Sequence, residues 1–286
     1  MKHFEDKTAV ITGGASGIGR ALAQRCLAEG MNVVLADIEE QALDETAVAL
    51  GSDQPERVMG IATDVCSEAD LERLRDKTLQ RFGGIHLLCN NAGVGAGGGM
   101  LDSYINDWRW TMDVNLWSVV NGCRLFLPAM IDQDEDCHIV NTASAAGLTP
   151  YNPSVSYTVS KYGVVALSES LHIEMKSLET RVGVSVLCPG FIKTRIMDSA
   201  RNRPDHLQDA TDDGVADETN AAFEAMRRHV DAGMPAEDVA IKVLDSIRAG
   251  DLYILTHDIN DVLNLRNKII KHGGGLEPLS TLEDFR

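Results

Sequence analysis

Short runs of apolar residues recur along this chain, separated by longer stretches in which apolar positions return every three or four residues. The short runs are Thr8–Thr12, Asn32–Ala36, Val58–Ala62, His86–Cys89, His138–Thr142 and Val182–Leu187, with a weaker one at Leu252–Leu255. They are rich in Val, Ile and Leu and do not alternate strictly with polar residues, the pattern of strands buried on both faces. Between them, Gly17–Glu29, Ile38–Leu50, Glu68–Phe82 and Trp108–Met130 read as helices. The last carries Trp108, Met112, Leu116, Val119, Cys123 and Leu127 as an apolar stripe at helical spacing. Alternation of this kind predicts an α/β fold, a doubly wound parallel sheet of the Rossmann type with about seven strands and helices on both faces. No repeat, low-complexity segment or linker interrupts it. One domain over residues 1–286 is therefore expected, with a substrate-loop or lid region at 191–235 and a C-terminal extension at 256–286.

The stretch from Pro204 to Glu224 breaks the rhythm. It holds seven acidic side chains, no Lys or Arg and few large apolar residues. It reads as a solvated surface loop, and a lid over a substrate is the sharper reading. Beyond it, Asp258–Lys271 reads as a helix ending at Gly273-Gly274-Gly275.

Composition narrows the class. The chain has 286 residues, 44% hydrophobic and 24% charged, which suits a globular protein with a substantial core. A net charge of −17, from 26 basic and 43 acidic residues, argues against gripping nucleic acid or an anionic membrane surface. Six cysteines lie without CxxC spacing, mostly in apolar runs, as buried thiols do. No secretory leader or 20-residue apolar span stands out, so a reducing cytoplasm is the expected compartment. The eight histidines form no HxH or HxxxH cluster, and no metal site is expected.

Chemistry enters at three places. After the first strand comes Thr12-Gly13-Gly14-Ala15-Ser16-Gly17-Ile18-Gly19, followed by a helix. Such a turn lets the backbone approach a diphosphate at a helix N-terminus, where free N–H groups and the helix dipole favour negative charge. Gly13, Ser16, Gly17, Ile18 and Gly19 are thus candidate cofactor contacts. Asp37 closes the second strand, about 20 residues past the turn, where a carboxylate accepts hydrogen bonds from the adenosine ribose. Its charge disfavours the 2′-phosphate of NADP, and no Lys or Arg stands at Ser16 or Ile38 to offset it, so NAD is expected. A helix N-cap is the plainer role for Asp37. Third, Tyr157 and Lys161 stand four apart and share a helix face. A cation beside a phenol favours the phenolate, lowering a reference pKa of about 10 towards a range useful for proton transfer.

These features fall in register with Asn90-Asn91-Ala92-Gly93 after the fourth strand, Asn115 in the long helix, Ser144 after the fifth strand and Pro189-Gly190 after the sixth. Over about residues 7 to 195 the set resembles the short-chain dehydrogenase/reductase family, in the branch with TGxxxGxG and YxxxK motifs. The resemblance implies Tyr157 as general acid/base and Lys161 as the group that lowers its pKa and binds the nicotinamide ribose. It implies Ser144 as a hydrogen-bonding partner of the substrate oxygen, and Asn115 as the holder of a water that links Lys161 to solvent. Asp64 and Val65 look like the adenine clamp. Asn91, Ala92 and Gly93 look like the turn beside the adenosine ribose, although Asn91 could equally stabilise the sheet. Pro189, Gly190, Ile192 and Thr194 look like the loop that meets the nicotinamide carboxamide and diphosphate. Ser144, Ala146, Leu148, Tyr151, Tyr157, Phe191 and Met197 would face the substrate, with Val94 and Gly95 on the opposite rim.

The expected activity is NAD-dependent interconversion of a secondary alcohol and a ketone. The mostly apolar lining suggests a bulky hydrophobic substrate, and Lys193 and Arg195 leave an anionic handle open. A 3-oxoacyl-type reductase and a non-catalytic dinucleotide sensor on the same fold are the alternatives. The C-terminal third departs from the family's common ending, and the Ser199–Pro204 segment looks more like members acting on bulky aromatic or terpenoid alcohols. A homodimer or homotetramer through the helices carrying Asn115 and Tyr157 is also implied.

Overall fold

A computed structural model of the chain describes residues 1–95, 98–149, 154–208 and 217–275, with side chains of 217–222 left aside. Seven strands, β1 (Thr8–Thr12), β2 (Asn32–Asp37), β3 (Val58–Ala62), β4 (Leu87–Asn90), β5 (Cys137–Thr142), β6 (Val182–Cys188) and β7 (Tyr253–Leu255), form one sheet in the order β3-β2-β1-β4-β5-β6-β7. All six pairings are parallel. The strand order reverses between β1 and β4, and that switch point opens a crevice at the carboxyl ends of the strands.

Strand periodicity explains the two cores. Val10, Val34 and Ile139 face one side of the sheet, against α3 (Glu68–Phe82), α5 (Ser118–Asp132) and α6 (Val155–Ser177). Ala9, Ile11, Val33 and Leu35 face the other, against α1 (Gly17–Ala28), α2 (Glu40–Leu50) and α8 (Ala236–Ala249). With both faces covered, the strands carry no polar side, which is why the sequence shows runs rather than alternation.

The long apolar helix is not uniform. α4 (Ile105–Met112) runs into a π-helical turn at Asp113–Trp117 and then into α5. The combined 28-residue rod is long and apolar enough to cross a membrane by length and composition, yet it packs into the body of the protein. The wider π turn rotates the helix relative to a single 3.6-residue period. The expected stripe is therefore only partly the buried face: Val119 and Cys123 are buried, Trp108, Met112, Leu116 and Leu127 are half-buried, and Trp110, Asn115, Phe126 and Met130 join the interior.

The acidic stretch differs from a plain loop. Residues Asp205–Leu207 form a 3₁₀ turn and the helix α7 spans Asp217–Asp231; residues 209–216 lie outside the described set. The ends of the surrounding segment are pinned together, because Lys193 N–H donates to the Met234 carbonyl and Met234 N–H to the Phe191 carbonyl, both at 3.0 Å. A last helix, α9 (Asn260–His272), follows β7.

Candidate active site

The glycine turn is built by exclusion. Gly13 and Gly17 adopt φ of +65° and +50°, and a Cβ on Gly19 would stand 2.1 Å from the Gly13 carbonyl oxygen. The helix that follows starts at Ser16, whose side chain makes no capping hydrogen bond, and its first turn holds no acidic residue. Its N–H groups and dipole therefore face the crevice without a resident anion, and this cradle fits the diphosphate of a dinucleotide.

Thr12, at the end of β1, ties the turn to β4. Its hydroxyl accepts from the main-chain N–H groups of Asn91 (2.9 Å) and Ala92 (3.0 Å). The Asn91 side chain donates to the Thr12 carbonyl at 2.9 Å, so that side chain stabilises the sheet while the Asn91–Gly93 backbone borders the crevice. Asp37 is buried and both its oxygens are engaged: Oδ2 accepts from Ala15 N–H and Oδ1 from Glu39 N–H, each at 3.0 Å. It anchors the glycine turn to the end of β2.

Tyr157 and Lys161 lie in the first two turns of α6. Ser144 stands beside the Tyr157 hydroxyl and favours its ionised form. Ser144 also accepts from Ala146 N–H at 3.1 Å, at the start of a 3₁₀ turn that packs on α6. Lys161 is buried and its Nζ donates to the Thr142 carbonyl at 3.0 Å, while standing 5.5 Å from the Tyr157 ring centre. The electrostatics differ from the spacing-based expectation. Burial raises the Tyr157 phenol above its ordinary value, with neighbouring Ser144 pulling the other way. Burial also lowers the Lys161 ammonium from 10.5 to about 8. Lys161 is turned onto a carbonyl rather than onto the phenolic oxygen, so low polarity outweighs charge in this state.

Asn115 occupies the π turn, fully buried. Its Oδ1 accepts from Val94 N–H at 2.8 Å, and its Nδ2 donates to the Val94 carbonyl at 2.9 Å and faces Ser160 Oγ at 3.4 Å. Both amide hydrogens are thus engaged. The side chain clamps the rim of the crevice at Val94.

The crevice holds a cavity of about 330 Å³ that Asn115 supports from behind the rim without lining it. Gly13, Ser16, Gly17, Ile18, Asn91, Ala92, Gly93, Ser144, Tyr157, Lys161, Pro189, Gly190, Ile192 and Thr194 line it, as do Val94, Gly95, Ala146, Phe191 and Met197. Gly19, Asp37, Asp64 and Val65 do not. Gly19 lies behind the turn, Asp64 bonds the Cys66 N–H at 2.9 Å, and Val65 packs into the core. Leu148 is also absent from the lining; it follows the 3₁₀ turn and packs on the cluster of Ala145 and Ile259. Tyr151 lies outside the described residues.

Sequence reasoning missed a second set of lining residues, Arg195 excepted. Phe223, Met226 and Val230 of α7 form an apolar roof, and Arg195, Arg201 and Asn202 reach in from the segment after β6. Arg201 Nε donates to Glu39 Oε1 at 2.9 Å, and Asn202 Nδ2 to the same oxygen at 3.1 Å. Arg203 pairs with Asp107 of α4, and Arg227 of α7 pairs with Asp198 at 2.8 Å. No local signal in the sequence links residues about 30 to 160 positions apart.

Comparison with known proteins places this geometry. The family model for short chain dehydrogenase matches residues 7–205. A crystal structure of a short-chain dehydrogenase/reductase from Burkholderia phymatum, in complex with NAD, is 41% identical, with a TM-score of 0.94 over 98% of this chain and 100% of that one. A CLA biosynthesis dehydrogenase/reductase of Lactiplantibacillus plantarum is 32% identical over 276 residues, 96% of each chain. Human 15-hydroxyprostaglandin dehydrogenase (NAD+) is 35% identical over 203 residues, 69% of this chain and 72% of that protein. With its parallel sheet, glycine turn and Ser144–Tyr157–Lys161 site, this chain belongs to the short-chain dehydrogenase/reductase family, oxidoreductases acting on hydroxyl groups.

Proposed function

We propose that this protein is an NAD-dependent dehydrogenase that interconverts a bulky, apolar secondary alcohol and its ketone, with Tyr157 as general acid/base. The carrying observation is that the Ser144 and Tyr157 side chains stand together on a cavity roofed by Phe223, Met226 and Val230. NAD, when bound, supplies the hydride acceptor. The substrate oxygen sits between the two hydroxyls. Ser144 holds it by a hydrogen bond, and Tyr157 Oη takes its proton in oxidation and returns it in reduction. Lys161 holds a positive charge behind the phenol, through its fixed place on the Thr142 carbonyl. Asn115 keeps Val94 and the rim in place.

Several observations support NAD over NADP. Asp37 ends β2, where its negative charge disfavours a 2′-phosphate. The Burkholderia structure holds NAD, and the human relative is named for NAD+. A hydroxyl on a substantial carbon skeleton is also the feature named in the human relative's substrate. Reduction of NAD, followed by absorbance over a panel of secondary alcohols, tests the reading. Tyr157→Phe is expected to abolish turnover while NADH fluorescence still reports binding; an active variant refutes the mechanism. A tenfold preference for NADP in kcat/KM refutes the cofactor assignment.

A further inference from the structure

The lining of the cavity carries a charge pattern that proton transfer does not need. The chain has a net charge of −17, yet none of the described lining residues is Asp or Glu. Three are cations: Lys161, Arg195 and Arg201. A cleft of one sign in a protein of the other focuses an anionic ligand.

The two arginines are held differently. Arg201 is fixed by Glu39 and by the carbonyls of Asp198 (2.8 Å) and Arg195 (3.3 Å). Arg195 meets Glu39 once, at 3.7 Å, and its side chain is 52% exposed. One carboxylate thus faces two guanidiniums, and one positive charge is left over. That charge stands on the cofactor side. Thr194 lies against the first residue of α1, since a Cβ on Gly17 would be 3.0 Å from Thr194 Cγ2. Glu39 lies just beyond the end of β2. The roof residues Phe223, Met226 and Val230 belong to α7, which the Arg227–Asp198 pair joins to the far part of the same segment.

We propose that Arg195 binds the diphosphate of the cofactor, with Glu39 and Arg201 as positioning residues that hold it over the glycine turn; this rests on the dinucleotide reading above. The guanidinium completes an anion site whose other half is the uncapped N-terminus of α1. Its planar donors match phosphate oxygens in pairs, and its loose contact with Glu39 is readily exchanged for them.

Calorimetric titration with ADP-ribose, which carries the diphosphate without the nicotinamide, tests the assignment. Arg195→Gln is expected to weaken ADP-ribose binding about tenfold, the effect of losing a charged hydrogen bond. Arg195→Lys is expected to recover most of that loss. Lys193→Gln, removing an exposed cation two residues away that does not line the cavity, is expected to bind as wild type. The thermal midpoint of ligand-free Arg195→Gln is expected to match wild type, which separates a binding defect from misfolding. ADP-ribose binding by Arg195→Gln within twofold of wild type overturns the proposal. So does a defect confined to the KM of the alcohol, which would make Arg195 a handle for a substrate carboxylate instead. Wild-type protein that binds neither ADP-ribose nor NADH refutes the dinucleotide reading itself.

Discussion

Replacing Lys161 with methionine should destroy activity and yet stabilise the ligand-free protein. Lys161 is buried and its ammonium is lowered from 10.5 to about 8. Keeping that group protonated at pH 7 therefore costs the folded state about 3 kcal/mol, at ~1.4 kcal/mol per pH unit. Methionine keeps most of the side-chain volume without the charge. It also leaves the Thr142 carbonyl without its 3.0 Å donor, a loss of about 1–2 kcal/mol. The net expectation is a gain of about 1–2 kcal/mol. The sign with pH follows from the same shift. The folded-state pKa is depressed, so the lysine's penalty is full below pH 8 and fades as pH rises from about 8 to 10.5. In that window the unfolded chain binds the proton and the folded one does not, and wild type gains stability relative to the variant. Urea unfolding of both proteins, at one fixed protein concentration and at pH 7, 8, 9 and 10, measures this. A variant less stable than wild type at pH 7, or a difference that stays flat to pH 10, refutes the reasoning. The stability given up here is then the trade that a charged group in an apolar active site entails.

Other perturbations test other parts of the structure. Gly19→Ala places a Cβ 2.1 Å from the Gly13 carbonyl and should abolish NADH binding by fluorescence; retained binding would contradict the geometry of the turn. Asp107→Asn removes the partner of Arg203, in a pair only 14–17% exposed, and should cost about 1–2 kcal/mol in urea unfolding while raising the substrate KM severalfold. Unchanged KM would show that this anchor does not set the substrate segment. Trp117, Val159 and Ile173 are large apolar side chains exposed on the helices expected to form a subunit contact. Trp117→Asp should shift light-scattering mass towards a monomer, and a wild-type monomer at micromolar concentration would remove the proposed oligomer.

Much of the frame was legible along the chain because it depends on local periodicity. Runs such as Ala9-Val10-Ile11 and Val33-Val34-Leu35 reveal strands buried on both faces, and each lies within a strand of the sheet. Gly13, Gly17 and Gly19 reveal a turn that other residues cannot make. The i, i+4 spacing of Tyr157 and Lys161 likewise places both on one helix face.

Other features depend on neighbours that only folding supplies. Lys161 was expected to acidify Tyr157, but the ammonium meets the Thr142 carbonyl and burial dominates both groups. The π turn aims the Asn115 amide at Val94, a contact that spacing along the chain does not show. Leu148 looked like a substrate contact, and one step of 3₁₀ backbone sends it to Ile259. The acidic stretch hid the start of α7, whose apolar face is defined by the cavity it covers.

By itself, then, the sequence determined the layered fold, the glycine turn and the shared helix face of Tyr157 and Lys161, because steric and periodic rules act between residues close in the chain. Tertiary structure alone decided which charges meet. Glu39 gathers Arg201, Asn202 and Arg195 from the far side of the sheet, and those long-range pairs set the field in the cavity. Electrostatic energy depends on distance and burial in three dimensions, and neither is encoded in spacing along the chain.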